Sequence, residues 1–242
     1  MGKLKPEERL IVALDVDTEK KALEIVDKLK NDTRFFKVGF ELFSSCGPSI
    51  VAKVMGKGCE VFLDLKFHDI PNTVAKAAAS ITRLGAFMFN VHGLGGHEMM
   101  KKANAASLAE ADKLKIAKPK IIAVTVLTSM DEDALKKVGV EAGVKKEVIR
   151  LAHLAKESGL DGVVASPEET SLIRDALGPD FLIVTPGVRP LWAAAGDQKR
   201  ITTPSEAVRR GADFIVVGRP ITDAPDMVEA AGKIIEEIRG ER

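Results

Sequence analysis

Short apolar runs alternate with amphipathic stretches along almost the whole chain. Most of the apolar runs are continuous and rich in Val, Ile, Phe and Leu, which is typical of parallel strands covered on both faces. Eight such runs occupy residues 10–15, 35–39, 60–66, 87–92, 120–126, 162–165, 181–185 and 214–217. Between them, apolar positions repeat with helical spacing, most clearly over residues 18–30, 71–84, 145–157 and 203–210, with a short extra helix expected over 131–138.

This alternation predicts the fold class. Eight strand-then-helix units in 242 residues predict an α/β protein with a single (β/α)8 TIM barrel. No linker, low-complexity segment or change of composition divides the chain, so residues 1–242 are expected to form one domain. The alternative is an open doubly wound sheet, which usually has fewer strands and a GxGxxG motif after the first. The first strand here continues as ALDVDTEKKA, without that motif.

Composition and charge narrow the class of protein. Hydrophobic residues make up 45% and charged residues 29% of the chain, as in ordinary soluble globular proteins. The formal net charge of +1 gives no electrostatic reason to expect nucleic acid or an anionic membrane as a partner. Cys46 and Cys59 have neither CxxC nor zinc-site spacing, and the polar N-terminus MGKLKPEERL lacks the apolar core of a signal peptide. A cytoplasmic protein with reduced thiols is therefore expected.

In a TIM barrel the active site lies at the carboxyl ends of the strands, so polar residues at those ends are the candidates for chemistry. They are Asp15, Lys37, Asp64, Lys66, Asp69, Asn90, His92, Thr125, Thr128, Thr185 and Arg219.

Charged residues are concentrated on the second and third strands. Asp64 and Lys66 lie two positions apart in VFLDLKF, so an extended strand would place them on one face, about 6.6 Å apart. Lys37 is a lone charge in FFKVGF on the neighbouring strand and can lie beside Asp64, and Asp69 follows just beyond the third strand. Such a row can tune proton transfer. The alternative is a buried ion-pair network that only stabilises the barrel.

The last two strands are followed by candidate phosphate ligands. Gly218 and Arg219 come directly after the eighth strand in VVGRPIT, where barrels commonly bind phosphate, and arginine can hold phosphate through two hydrogen bonds. The long polar segment 186–203 carries Arg189 and Gln198. A loop of this length in a compact domain predicts a functional lid.

The stretch DLKFHDIPNT resembles the DxKxxDIPNT motif of the orotidine 5′-monophosphate decarboxylase family. Further segments agree in order over about residues 9–235, namely ALD, FKVGFEL, LTSM, TPGVRP, GDQKR and VVGRPIT. The resemblance implies decarboxylation of orotidine 5′-monophosphate to UMP and CO₂ in de novo pyrimidine biosynthesis, with neither metal nor other cofactor.

The resemblance also implies residue roles. Lys66 would stabilise a carbanion at C6 of the pyrimidine and then protonate it. Asp64 would crowd the substrate carboxylate and orient Lys66, while Lys37 would keep Asp64 ionised and contact the ribose. Asp69, the fourth catalytic residue, and Thr73 would reach into the partner subunit's site, so a homodimer is expected.

The substrate contacts implied by the resemblance involve Asp15, Lys37, Thr73, Thr128, Arg189, Gln198, Gly218 and Arg219. Arg189, Gln198 and Arg219 would meet the phosphate, and Gln198 would also reach the base. Either Thr128 or its neighbour Ser129 could supply the hydroxyl that faces the substrate. His68, inside the motif, is expected to be structural.

Two other functions stay open. Hexulose-phosphate synthases and ketogulonate-phosphate decarboxylases share a similar DxKxxD core but use Mg²⁺ to stabilise an enediolate. The IPNT continuation and the loop with Gln198 favour the pyrimidine enzyme instead. A non-catalytic barrel that binds UMP-like ligands would show binding without turnover, but such a protein has no need of a costly row of charges.

Overall fold

The computed structural model describes residues 4–193 and 202–240. Within these residues, eight strands form a closed barrel in chain order, which confirms the predicted (β/α)8 TIM barrel. The pairs β1–β2, β1–β8, β2–β3, β4–β5, β5–β6 and β6–β7 are parallel. The strands are β1 (Leu10–Ala13), β2 (Phe35–Gly39), β3 (Glu60–Phe67), β4 (Met88–His92), β5 (Lys120–Val124), β6 (Gly162–Val164), β7 (Leu182–Thr185) and β8 (Phe214–Val217).

Helices separate the strands, and the described part of the chain contains twelve α-helices and two short 3₁₀ segments. The first six helices are α1 (Pro6–Arg9), α2 (Glu19–Leu29), α3 (Phe40–Cys46), α4 (Ser49–Met55), α5 (Pro71–Leu84) and α6 (Gly96–Leu114). The others are α7 (Glu132–Lys137), α8 (Val144–Glu157), α9 (Thr170–Leu177), α10 (Pro204–Arg209), α11 (Arg219–Thr222) and α12 (Met227–Arg239). The 3₁₀ segments are Gly93–Gly95 and Leu191–Ala193. Of the helices described, none has the length and apolar character needed to span a membrane.

The chain divides into two compact units, one of residues Met1–Asp64 with Thr185–Arg242 and one of residues Leu65–Val184. In the first unit the rings of Phe35 and Phe214 meet edge to face, with centroids 5.6 Å apart. In the second, a buried hydrogen bond of 2.8 Å joins the hydroxyls of Thr82 in α5 and Ser107 in α6. That residues 1–242 form one domain stays a prediction.

The strand predictions agree with the structure to within two residues at each end. β1 ends at Ala13 and β5 at Val124, each two residues before its predicted end. Beyond both ends the pairing continues as one further backbone hydrogen bond, from Leu14 N–H to the Lys37 carbonyl and from Thr125 N–H to the Val164 carbonyl. The apolar run thus extends past the regular ladder, because the chain stays buried where it begins to turn into the following loop.

Side-chain caps explain why the predicted helices begin where they do. Thr18 accepts a hydrogen bond from Lys21 N–H at the start of α2, and Asp131 caps α7 in the same way. Thr203 and Glu206 form a reciprocal capping box at α10. Each cap satisfies backbone donors that the first turn of a helix leaves unpaired.

Candidate active site

Lys37 is held between two carboxylates in the first unit. The strand registers pair Ala13 with Lys37 and Gly39 with Asp64, so Asp64 stands two residues further along the sheet than Lys37. That offset suits the length of a lysine side chain. The Lys37 Nζ lies 2.8 Å from Asp15 Oδ1 and 3.5 Å from Asp64 Oδ2. The structure therefore brings Lys37 beside Asp64, as the strand positions predict.

Burying charged side chains in this cluster costs free energy, because Lys37 and Asp64 are largely removed from water. The side chains of Lys37 and Asp64 are only 11% and 15% exposed, whereas that of Asp15 is 57% exposed and remains hydrated. A charge removed from water is tolerated when opposite charges and hydrogen bonds compensate it. Lys37 has that compensation from both sides, so the cluster can hold fixed charge at the end of the strands.

The residues after β8 lie near the same cluster. A Cβ on Gly218 would be 3.4 Å from Ala13 Cβ and 3.7 Å from Asp15 Oδ2, so the backbone of Gly218 passes close to Asp15. Arg219 begins α11 and is exposed. Asp15 and Arg219 line one cavity of about 220 Å³, whose wall also includes Lys21, Lys28 and Met227. The structure thus brings together Asp15, Gly218 and Arg219.

The segment predicted to be a lid is described only at its base. Arg189 N–H donates to the Thr202 carbonyl at 3.0 Å, so the two ends of the segment are joined there. Gln198 lies outside the described residues, and its expected contacts with phosphate and base stay predictions.

In the second unit, Lys66 has an unusual backbone conformation. Its φ of +43° lies in the left-handed region, which residues with a Cβ rarely adopt and which costs about 1–3 kcal/mol when imposed. The expectation that Asp64 and Lys66 share a face assumed a regular extended strand. Because the extended backbone is interrupted at Lys66, a shared face stays a prediction. The Lys66 backbone N–H donates to Asn90 Oδ1 at 2.7 Å.

Two histidines lie side by side after β3 and at the end of β4. The rings of His68 and His92 stack with their centroids 5.4 Å apart and an interplanar angle of 19°. His92 Nδ1 accepts a hydrogen bond from Leu94 N–H at 3.3 Å. Burial lowers the pKa of His92, and electrostatic repulsion from the neighbouring His68 and Lys66 side chains lowers it further. The sequence pattern did not predict this stack, although the two histidines lie at the carboxyl ends of consecutive strands.

Asp69 and Thr73, the residues expected to serve the partner subunit, are both exposed on this chain. Asp69 Oδ1 accepts a hydrogen bond from Ile70 N–H at 2.6 Å. Ile70 is 67% exposed, an unusually large apolar surface directly beside a charged residue. Thr73 lies in the first turn of α5. The segment 69–73 is thus presented outward.

Thr128 and Ser129 are the two central residues of one turn after β5. Met130 N–H donates to the Leu127 carbonyl at 2.8 Å and closes the turn. Both hydroxyl residues are exposed, so the geometry favours neither of them and the choice of Thr128 stays a prediction.

Metal-ligating side chains do not cluster in the part of the chain that the structure describes. Across residues 4–193 and 202–240, no group of three or more His, Cys, Asp or Glu residues could hold a metal ion. Cys46 and Cys59 do not form a disulfide bond with each other.

Known proteins resemble this chain over nearly its whole length. Residues 8–234 match the model of the orotidine 5′-phosphate decarboxylase / HUMPS family. A relative from Syntrophomonas wolfei subsp. wolfei, named orotidine 5′-phosphate decarboxylase, is 54% identical over 97% of this chain and 99% of its own. One of the same name from Trichlorobacter lovleyi is 55% identical over 95% of each chain.

Solved structures agree with the sequence relatives. The crystal structure of orotidine 5′-phosphate decarboxylase from Lactobacillus acidophilus has a TM-score of 0.85 and 40% identity, covering 96% of this chain and 99% of its own. With a family match over most of its length and relatives above 50% identity, this chain belongs to the orotidine 5′-phosphate decarboxylase / HUMPS family.

Proposed function

We propose that this enzyme decarboxylates orotidine 5′-monophosphate to UMP and CO₂ in pyrimidine biosynthesis. Relatives more than 50% identical over nearly the whole chain bear the name of this activity. The observation that carries the proposal is the ammonium of Lys37 held between Asp15 and Asp64, on strands whose family motif continues from Asp64 to Lys66. A protein that only binds nucleotides has no need of this costly cluster.

Lys66 is the proposed proton donor. When the bond from C6 to the carboxylate breaks, CO₂ leaves and the electron pair stays on C6 in the plane of the ring. The ammonium of Lys66 stabilises this developing charge more than it stabilises the substrate, which is the condition for catalysis. A proton then passes from Nζ to C6, giving UMP, and the neutral amine regains a proton from solvent.

Asp64 and Lys37 are proposed to set the charges around that step. The substrate carboxylate would approach Asp64, and the repulsion is relieved when neutral CO₂ forms. The contact of Asp64 with Lys37 at 3.5 Å supports an ionised Asp64 in this role. Lys37 would also reach the ribose, together with Asp15, to which it is hydrogen-bonded at 2.8 Å.

The remaining proposed contacts fix the nucleotide at its other end. Arg189, Gln198, Gly218 and Arg219 would bind the phosphate, and Thr128 would contact the base. Arg219 supports this assignment because it is exposed and lines a cavity with Asp15. A guanidinium and free backbone N–H groups are the donors that phosphate prefers.

We further propose a cytoplasmic homodimer in which Asp69 and Thr73 complete the partner's site. The outward position of both residues and the exposed Ile70 beside them support this arrangement. In such a dimer the partner subunit would cover the Ile70 side chain.

The direct test is the absorbance of orotidine 5′-monophosphate incubated with the purified protein, with and without EDTA. We expect the spectrum to change to that of UMP at the same rate in both samples, because the proposed chemistry uses only protein charges. Activity that EDTA removes and Mg²⁺ restores would favour a metal-dependent mechanism instead. Binding of UMP without any spectral change would favour a non-catalytic protein.

Gly39 is expected to be needed for the placement of Lys37. A Cβ on Gly39 would lie 3.0 Å from Lys37 Nζ and 3.4 Å from Asp15 Oδ1. Because the nearest atom is the end of a flexible side chain, Gly39→Ala should displace the ammonium rather than unfold the protein. We expect kcat/KM to fall by about 10- to 100-fold, as for other small displacements of active-site groups, while the melting temperature changes little.

Gly232 in α12 provides the matched control. A Cβ there meets no atom within 4 Å. Gly232→Ala should leave kcat/KM unchanged and stabilise the helix by roughly 0.5–1 kcal/mol. If Gly39→Ala retained full activity, the position of Lys37 Nζ would not matter for turnover.

A further inference from the structure

The backbone at Lys66 requires an explanation, because β3 does not impose its conformation. Lys66 has a φ of +43°, and the only other non-glycine residue with positive φ among those described is Lys115, at the end of α6. At a helix end such a conformation is common, whereas within a strand it interrupts the extended backbone. A contact with a neighbouring part of the structure must therefore favour the positive φ of Lys66.

Asn90 makes the contact that can do so. Its Oδ1 accepts a hydrogen bond from the Lys66 backbone N–H at 2.7 Å. Asn90 lies in the middle of β4 and is completely buried. A buried amide is costly unless its polar atoms are paired, so an apolar side chain would be the ordinary residue at this position.

The position of Asn90 is itself fixed. In the β4–β5 ladder Asn90 is paired with Ile122, between the pairs of Phe89 with Ile121 and Val91 with Ala123. All five of these neighbours are fully buried. The Asn90 side-chain amide is therefore held in a fixed position by the packed strand, and its hydrogen bond can fix the position of the Lys66 backbone.

We propose that Asn90 is a positioning residue that holds the Lys66 backbone in its left-handed conformation and so aims the ammonium at the reacting carbon. This inference rests on the proposed function of Lys66. A small backbone rotation is amplified along the lysine side chain. Turning the backbone by about 10° moves a group about 6 Å away by about 1 Å, and a displacement of that size can lower the rate about 100-fold. Asn90 acts through the Lys66 backbone, without touching the substrate.

The test compares Asn90→Ala with Asn90→Asp. The alanine variant removes the acceptor, whereas aspartate keeps an oxygen in its place in either protonation state. For Asn90→Ala we expect kcat to fall by about 30- to 100-fold while KM and the Kd for UMP change by less than about threefold, because positioning affects the transition state most. The kcat of Asn90→Asp should be at least about tenfold higher than that of Asn90→Ala, because the Lys66 backbone N–H regains a hydrogen-bond acceptor.

Thr82→Val is the control for a purely structural effect. It removes two buried hydrogen bonds of the same unit, from the Thr82 hydroxyl to Ser107 at 2.8 Å and to the Ala78 carbonyl at 2.9 Å, and neither involves Lys66. We expect Thr82→Val to lower the melting temperature while kcat is unchanged. If Asn90→Ala kept wild-type kcat, or if Thr82→Val lost kcat to the same degree, the positioning role would be refuted.

A measurement that does not depend on turnover separates this inference from the proposed function. Hydrogen exchange of the Lys66 amide should be at least about tenfold faster in Asn90→Ala than in the wild type, because the N–H loses its acceptor and the strand opens locally. Unchanged exchange would contradict the inference. If the wild type were inactive but exchange at Lys66 were still faster in Asn90→Ala than in the wild type, only the proposed function would be contradicted.

Discussion

Lys66→Ala is expected to abolish decarboxylation, with a loss of at least about 10⁴-fold in kcat, because it removes both the proposed proton donor and the cation proposed to stabilise the carbanion. Binding of UMP should survive with a Kd within about tenfold of wild type, since the proposed nucleotide contacts lie on other residues. Turnover is followed by absorbance, and UMP binding by calorimetry.

Two further lysine variants make this experiment sharper. Lys66→Arg keeps the positive charge, but a guanidinium does not give up its proton at neutral pH, so this variant should also be inactive if proton delivery is essential. Lys20→Ala removes a lysine of α2 whose side chain is 87% exposed, and it should behave as wild type. Turnover by Lys66→Ala within tenfold of wild type would show that the proposed proton donor is wrong.

Mixed dimers should regain activity that neither parent has. If Asp69 completes the partner's site, Lys66→Ala and Asp69→Ala subunits are each inactive alone. A hybrid of the two pairs the intact Lys66 of one subunit with the intact Asp69 of the other in one of its two sites. With random exchange, half the dimers are hybrids with one working site, so about a quarter of the wild-type activity should return.

The control for this experiment mixes Lys66→Ala with Asp64→Ala subunits. Both positions belong to β3 of the same chain, so every site in such a hybrid carries one defect and no activity should return. Mass spectrometry verifies that subunits have exchanged in both mixtures. An absence of recovery in the first mixture, with exchange demonstrated, would mean that each subunit builds its site alone.

The fold could be predicted because its signals are local and repeated. Continuous apolar runs mark each strand, and side-chain caps such as Thr18 and the pair Thr203 and Glu206 mark helix starts. The neighbourhood of Lys37 and Asp64 was also predictable, because consecutive strands of a barrel pair with each other and both residues stand near the ends of theirs.

Other features depend on departures from regular geometry or on contacts distant in sequence. Nothing in the residue type of Lys66 indicates a left-handed backbone, since lysine ordinarily avoids it. The bond from Lys66 to Asn90 spans 24 positions and depends on that departure. The stack of His68 on His92 likewise requires the positions of two strand ends in space, which a periodic pattern does not give.

At position 66 the residue that would give the highest thermal stability differs from the residue that the proposed catalysis needs. Glycine adopts a φ of +43° without the penalty that a Cβ imposes, so glycine at position 66 would relieve about 1 kcal/mol or more of strain. Glycine can supply neither the cation nor the proton. A laboratory selection for heat resistance alone would therefore favour losing the residue on which the proposed chemistry depends, and only a simultaneous demand for turnover would retain lysine there.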